Sequence, residues 1–251
     1  ARSVLRVDRD LEQVVPNLTL RVDPDRTPDE LLVEGIRTVF RTANPHFVNH
    51  PLMVRDLGER YGVASCYNSL PLGGGSHTLS RMDLRQVALL HDGPLDDFFA
   101  VSLPRAAEWL ARLMEARIRH IVEEARWFDH DFLAEEGLVS LDRMTAMFGI
   151  VGLAEAVNEL MAREGHDGTY GHDDDANALA HRIVHTLHEF VDSRPMPHCE
   201  GTGGRALLHS QAGLDLDTSM SVGARVPIGE EPSLLEHICA VAPNHDCFAS
   251  G

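Results

Sequence analysis

"YGVASCYNSLPLGGGSHT", residues Tyr61 to Thr78, ends a short apolar run on a cysteine and follows it with three glycines. "YGVASC" has the length and character of a buried strand, and "PLGGGSHT" reads as a flexible or close-packed turn. A cysteine at such a handover has two readings. Buried, it is a small hydrophobe; suitably surrounded, it is a reactive thiol. Nucleophilic use of Cys66 would need a histidine base, for which His77 is a candidate. The glycine run has amides that could cradle an anion, but it matches neither G-x-G-x-x-G nor a Walker loop.

The rest of the composition narrows the setting. The chain has 251 residues, 43% of them hydrophobic and 24% charged, which suits an ordinary globular protein. Its formal net charge is -17, from 39 acidic and 22 basic residues. Such a surface repels phosphate backbones, so no nucleic-acid partner is expected. No apolar run approaches the roughly 20 residues of a membrane span, and "ARSVLRVDRDLEQ" lacks the apolar centre of a signal peptide. A cytoplasmic protein with no membrane partner is the expectation. Every basic residue is arginine, which removes lysine Schiff-base chemistry and the P-loop lysine. The four cysteines (Cys66, Cys199, Cys239 and Cys247) form no C-x-x-C pair, so reduced thiols are expected.

Along the chain, "DPDRTPDELLVEGIRTVFRTAN" opens with helix-start chemistry. Thr27 can cap, Pro28 suits the first helical position, and Asp29 and Glu30 face the positive helix end. Leu32, Ile36, Val39 and Phe40 then recur at helical spacing. From Pro104 to Phe128, the positions Ala107, Leu110, Met114, Ile118, Ile121, Ala125 and Phe128 form one apolar stripe on a long helix. Ser140 can cap a further helix, "LDRMTAMFGIVGLAEAVNELMARE", whose middle is apolar nearly all round and should be buried. Another helix runs from about Asp174 to Asp192. The final third mixes glycine loops with short runs such as "RALLHS" and "SVGARVPI" that read as strands. Strands separated by long helices predict an α/β fold with a largely parallel sheet, in one domain spanning 1–251.

His181, His185 and His188 share one face of a helix and could in principle grip a metal. Leu179, Ile183, Leu187, Phe190 and Val191 define the opposite, apolar face, so a solvated polar face explains the histidines without one. The H-E-x-x-H pattern is missing, and no metal is expected. "GHDGTYGHDDDAN" resembles a calcium loop in composition only.

Several stretches, in order, resemble the glycine radical enzymes, the group that includes pyruvate formate-lyase, diol dehydratases and anaerobic ribonucleotide reductase. "VPNLTLRVDPDRTPDELL" and "ANPHFVNHPLMV" resemble that family's "PNLT-R" strand, the next helix and its asparagine loop. "RDLGERYGVASCYN" resembles the strand that delivers its thiyl cysteine, and "FGIVGLAEAVNEL" a later barrel helix. "SCYNSLPLGGGSHTLSRMDL", "HSQAG" and "RVPIGEEP" resemble the YjjI-type subgroup in particular.

The resemblance implies a ten-stranded α/β barrel with long surrounding helices, of which this chain would be the central portion. It implies Cys66 as the hydrogen-abstracting thiol, acting on a small organic substrate near Asn68, the loop Gly73, Gly74 and Gly75, and His77. Cys199, with Glu200 beside it, is a rival thiol. The cofactor implied is a glycyl radical on a glycine outside this chain, installed by a radical S-adenosylmethionine activase carrying an iron–sulfur cluster. A homodimer is implied as well. Two features depart from the family. No "R-V-x-G-Y" motif is present, so the chain is expected to be an internal piece, inactive alone. Diol dehydratases carry Cys-x-Glu, whereas Cys66-Tyr67-Asn68 has an asparagine that takes no proton near neutrality. The alternatives are a ribonucleotide reductase-like radical enzyme and a non-catalytic or histidine-rich metal-binding fragment.

Overall fold

The computed structural model describes residues 1–12, 18–63, 69–210 and 220–249. The chain packs as two compact units, Ala1–Leu70 and Pro71–Ala249. The first holds α1 (Arg2–Leu11), β1 (Thr19–Val22), α2 (Asp29–Thr42), β2 (His46–Asn49), α3 (His50–Leu57) and β3 (Tyr61–Val63). β1 and β2 pair in parallel, Thr19 opposite His46 and Val22 opposite Asn49, with α2 as the connecting helix. Asn49 ends β2 and caps α3, its Oδ1 accepting from the Leu52 amide at 3.2 Å. Val48, Leu52, Met53 and Tyr61 form the small core.

α2 buries a face that its apolar spacing does not mark. Ile36 and Phe40 are 49% and 81% exposed, while Glu34, Gly35, Thr38 and Thr42 are buried. Gly35 lets the helix lie close on the sheet, since a Cβ there would stand 3.1 Å from the Phe47 ring. The polar side is satisfied by α1, through Arg9 to Glu34 at 2.5 Å and the Thr42 hydroxyl to Asp8 at 3.1 Å. Thr27 does not cap α2. Pro28 occupies that position, and the Thr27 hydroxyl accepts from the Asp23 amide instead.

β4 (Ser69–Pro71) pairs with β3. The second unit is then built on three parallel strands in the order β5-β6-β7: β5 (Gly75–Asp83), β6 (Met144–Val151) and β7 (Leu207–Ser210). β5 is followed by α4 (Leu84–Leu90), the short α5 (Leu95–Asp97), a π-helical turn at Phe98–Ser102 and α6 (Leu103–Arg119). A second π-helical turn, His120–Glu124, ends that run, so the long helix stops before Phe128. Ala107, Leu110, Met114 and Ile118 are buried as their spacing predicts. Next come α7 (Phe132–Glu135), β6, α8 (Leu153–Arg163), α9 (Asp174–Ser193), β7 and α10 (Leu234–Val241). The Asp173 carboxylate caps α9 at the Ala176 amide, and Ser233 with Glu236 forms a capping box on α10.

The α/β class is therefore observed, with parallel strands joined through helices. The expected single helix over Leu141–Glu164 is not. Met144–Val151 is a strand buried along its whole length, and the helix begins only at Leu153. A central parallel strand is covered on both faces, so it reads as an unbroken apolar run that periodicity cannot tell from a buried helix. Gly152, at φ +74°, makes the turn between the two. The run "SVGARVPI" is not a strand either. Its pairing is a single antiparallel bridge from Val222 to Val151.

Candidate functional site

Cys66 and Asn68 lie outside the described residues. The glycine loop beside them is described, and it is packed rather than open. Gly74 donates its amide to the Pro71 carbonyl at 3.0 Å. A Cβ at Gly74 would overlap the Arg143 carbonyl oxygen. From the other side, a Cβ at Gly201 would lie 2.6 Å from the same carbonyl. The Arg143 backbone thus runs between two glycines, one before β5 and one before β7. Gly73 accepts from the Ser140 amide at 2.9 Å, and the Arg143 guanidinium donates to the Leu72 carbonyl at 3.2 Å. These contacts account for glycine at 74 and 201 on steric grounds alone.

At the start of β5, His77 is 8% exposed. Its Nε2 lies 2.7 Å from the His198 carbonyl oxygen, which fixes Nε2 as the protonated nitrogen and leaves a lone pair on Nδ1. Nδ1 is buried and has no hydrogen-bond partner. The ring meets Phe128 edge-on, with centroids 5.9 Å apart. Burial lowers the His77 pKa, so the ring is neutral at pH 7; the His198 carbonyl and the Glu200 charge offset this in part.

His198 is held in the left-handed region, at φ +56°. Its side chain bonds the Glu123 carboxylate at 3.0 Å, and Arg119 holds the same carboxylate at 3.2 Å. Cys199 follows, fully buried. Burial first and the Glu200 charge second push its thiol up to about 12. The carbonyl of Cys199 accepts from the Gly204 amide at 2.9 Å. The Thr202 hydroxyl donates to the Arg205 carbonyl and meets the Thr145 hydroxyl of β6 at 2.8 Å. The structure therefore brings together His77, Cys199 and the charge of Glu200, whose own side chain is exposed. The glycine loop and Gly201 meet the same stretch of chain at Arg143.

This arrangement restricts the chemistry. A thiol with a pKa of about 12 is not a thiolate nucleophile at neutral pH. It keeps its S–H bond, the form that can donate a hydrogen atom. The neutral imidazole of His77, bonded to the carbonyl of the residue before Cys199, keeps an acceptor at Nδ1. Sequence spacing points to neither Arg143, Thr145 and Thr202 nor the His198–Glu123 pair, because each meets its partner across a long stretch of chain.

The histidine face of α9 also differs from its expected solvated character. His181 Nδ1 donates to the Asn244 side-chain carbonyl at 3.1 Å. Asn244 belongs to the 3-10 turn Ala242–Cys247, which packs against α9 at His181. Among the described residues, no three histidine, cysteine or acidic side chains gather to hold a metal ion, and no helix is long and apolar enough to cross a membrane.

Comparison with known proteins places these features. Residues 1–251 match the family model described as "Glycyl radical enzyme YjjI-like". The uncharacterised protein YjjI of Escherichia coli (strain K12) is 41% identical over 251 residues, all of this chain and 48% of that protein. An uncharacterised protein of Haemophilus influenzae is 38% identical and is covered over 49% of its length. The chain thus spans about half the length of the curated relatives it matches. Among solved structures, one of 1,2-propanediol dehydration in Roseburia inulinivorans aligns with a TM-score of 0.72 at 14% identity, over 98% of this chain and 43% of that one. The B12-independent glycerol dehydratase of Clostridium butyricum aligns at 0.62 and 13%, over 83% and 36%. An anaerobic ribonucleotide reductase of Thermotoga maritima aligns at 0.58 and 15%, over 98% and 41%.

Proposed function

This chain belongs to the YjjI-like glycyl radical enzyme family, and from that premise we propose that the longer polypeptide abstracts a hydrogen atom from a small organic substrate with a thiyl radical on Cys66. The observation that carries the reading is the family match over all 251 residues; the fold likeness to dehydratases agrees with it. In this reading the 251 residues are the central part of one ten-stranded barrel, in a cytoplasmic homodimer. A glycyl radical outside this chain supplies the one-electron oxidising equivalent, and a radical S-adenosylmethionine activase with an iron–sulfur cluster installs it.

The chain's own residues then have defined tasks. Cys66 forms an S–H bond as a substrate C–H bond breaks, leaving the unpaired electron on carbon. The site shields that carbon radical and orients the substrate, because the radical itself carries the difficult chemistry. Asn68 and the loop Gly73–Gly75 contact the substrate, and His77 Nδ1 accepts from a substrate hydroxyl. Asn68 cannot serve as the base that glutamate provides in Cys-x-Glu dehydratases. An elimination here would have to place its base elsewhere. Cys199, a neutral thiol, is the second candidate for hydrogen-atom exchange, with Glu200 beside it. A ribonucleotide reductase-like reaction has in its favour only a fold likeness at 15% identity.

Replacing Cys66 by alanine or serine in the full-length, activated protein tests the assignment. Turnover, screened first with glycerol and 1,2-propanediol, should vanish while the glycyl radical stays visible by EPR. Retained turnover in Cys66→Ala would remove Cys66 from the mechanism. Loss of turnover in Cys199→Ser alone would transfer the role to Cys199.

A further inference from the structure

The stretch of chain after α6 reaches both partners of the buried His77–His198 hydrogen bond. α6 passes into the π-helical turn His120–Glu124, and the 3-10 turn Trp127–Asp129 follows. From the first turn, the Glu123 carboxylate accepts from His198 Nε2 at 3.0 Å. From the second, Phe128 packs edge-on against the His77 ring, with centroids 5.9 Å apart. Between them lies the bond itself, from His77 Nε2 to the His198 carbonyl at 2.7 Å.

That carbonyl is aimed by a backbone conformation that needs support. His198 is left-handed, at φ +56°, where a residue with a Cβ is disfavoured. On its C-terminal side, the Cys199 carbonyl accepts from the Thr202 and Gly204 amides at 3.1 and 2.9 Å. On its N-terminal side, Arg194 donates to Glu108 at 2.9 Å and to Glu115 at 3.2 Å, both on α6. His198 itself is tied down through its imidazole at Glu123. Arg119 joins the two anchors, donating to Glu115 at 3.1 Å and to Glu123 at 3.2 Å. One chain of hydrogen bonds thus runs along α6 from Arg194 to His198.

A carbonyl oxygen only accepts, so the His77 proton sits on Nε2 and the lone pair on Nδ1. The other tautomer would set a ring lone pair against the carbonyl oxygen. Nδ1 is buried and has no partner, so any group that meets it has to donate.

We propose that Glu123 is a positioning residue: through His198 it fixes the carbonyl that keeps the His77 proton on Nε2 and so keeps Nδ1 an acceptor. The use of that acceptor rests on the reading above, in which Nδ1 meets a substrate hydroxyl; the tautomer does not depend on it.

The full-length protein, labelled with ring-15N histidine, tests this by NMR without turnover. The His77 signals are those lost in His77→Gln. Above pH 7 the wild type should show a protonated Nε2 and a bare Nδ1. In Glu123→Ala the Nε2 proton should exchange with water up to about fivefold faster, the range set by a part-exposed pair. The two nitrogen shifts should also move toward each other. Glu123→Gln, whose amide oxygen still accepts from His198, should restore both readouts. Glu124→Ala, which removes the neighbouring bond to His120 at 2.8 Å, should leave them unchanged. Amide protection of β6 should be the same throughout.

A wild-type His77 protonated at Nδ1, or unchanged readouts in Glu123→Ala, would overturn the positioning role. So would a failure of Glu123→Gln to restore them, an equal response in Glu124→Ala, or a loss of β6 protection in Glu123→Ala. Turnover separates the two claims. If the NMR shifts appear and activated Glu123→Ala still turns over as wild type, Nδ1 is not a substrate contact, while Glu123 still sets the His77 tautomer.

Discussion

A methyl group on residue 74 would have to share space with the Arg143 carbonyl oxygen. Backbone atoms cannot swing aside as a side-chain tip can, so Gly74→Ala should cost about 1–3 kcal/mol, read as a lower urea midpoint. Gly201→Ala, which faces the same peptide, should cost a similar amount. Cys199 yields a second outcome. Its thiol is buried with a pKa of about 12, whereas Cys239 is exposed. At pH 8 iodoacetamide should modify Cys239 in the native protein and Cys199 only after denaturation, as read by peptide mass spectrometry. Rapid native labelling of Cys199 would contradict its burial. At this scale, the sequence offered the glycine run as either an anion cradle or a tight turn. What decides between them is Arg143, about seventy positions away, and no local pattern carries that.

At the scale of elements, legibility tracked how each segment meets the solvent. α6 and α9 each carry a polar side, so their apolar positions repeat at the helical period and both helices are readable, although α6 ends at Arg119 rather than Phe128. β6 is covered on both sides, and the pattern that would distinguish strand from helix is erased. Its continuous burial still has an energetic signature. Ile150, fully buried in β6, should lose about 2–5 kcal/mol on change to alanine, by chemical denaturation. A loss below 1 kcal/mol would mean that the strand is not packed on both faces. α2 failed for a different reason. Its inner face was chosen by a small glycine that lets the sheet approach and by ion pairs to α1, and hydrophobic spacing records neither.

For the whole molecule, the collinear motifs carried the family, and the family match covers the same 251 residues. The fold likeness came without close sequence identity, 13–15% against the three structures described. Stability of the unit Pro71–Ala249 should respond to acid through His209, whose pKa burial lowers to about 4. The unfolded chain binds that proton near pH 6.5, so stability is steady above that value and declines as pH falls toward 4. The decline reaches about 3 kcal/mol. Urea unfolding at pH 7.5 and 4.5 measures it, and His209→Gln should remove most of the difference.

The peptide between Gly74 and Gly201 also has a consequence for tolerance to mutation. The frame around His77 and Cys199 depends on Arg143 through its main chain, which every residue type shares. Its side chain adds a hydrogen bond to Leu72 at the surface. A saturation library scored for folding should therefore show an inverted profile. The charged residue at the centre should accept many replacements, and the two featureless residues on either side of it should accept almost none.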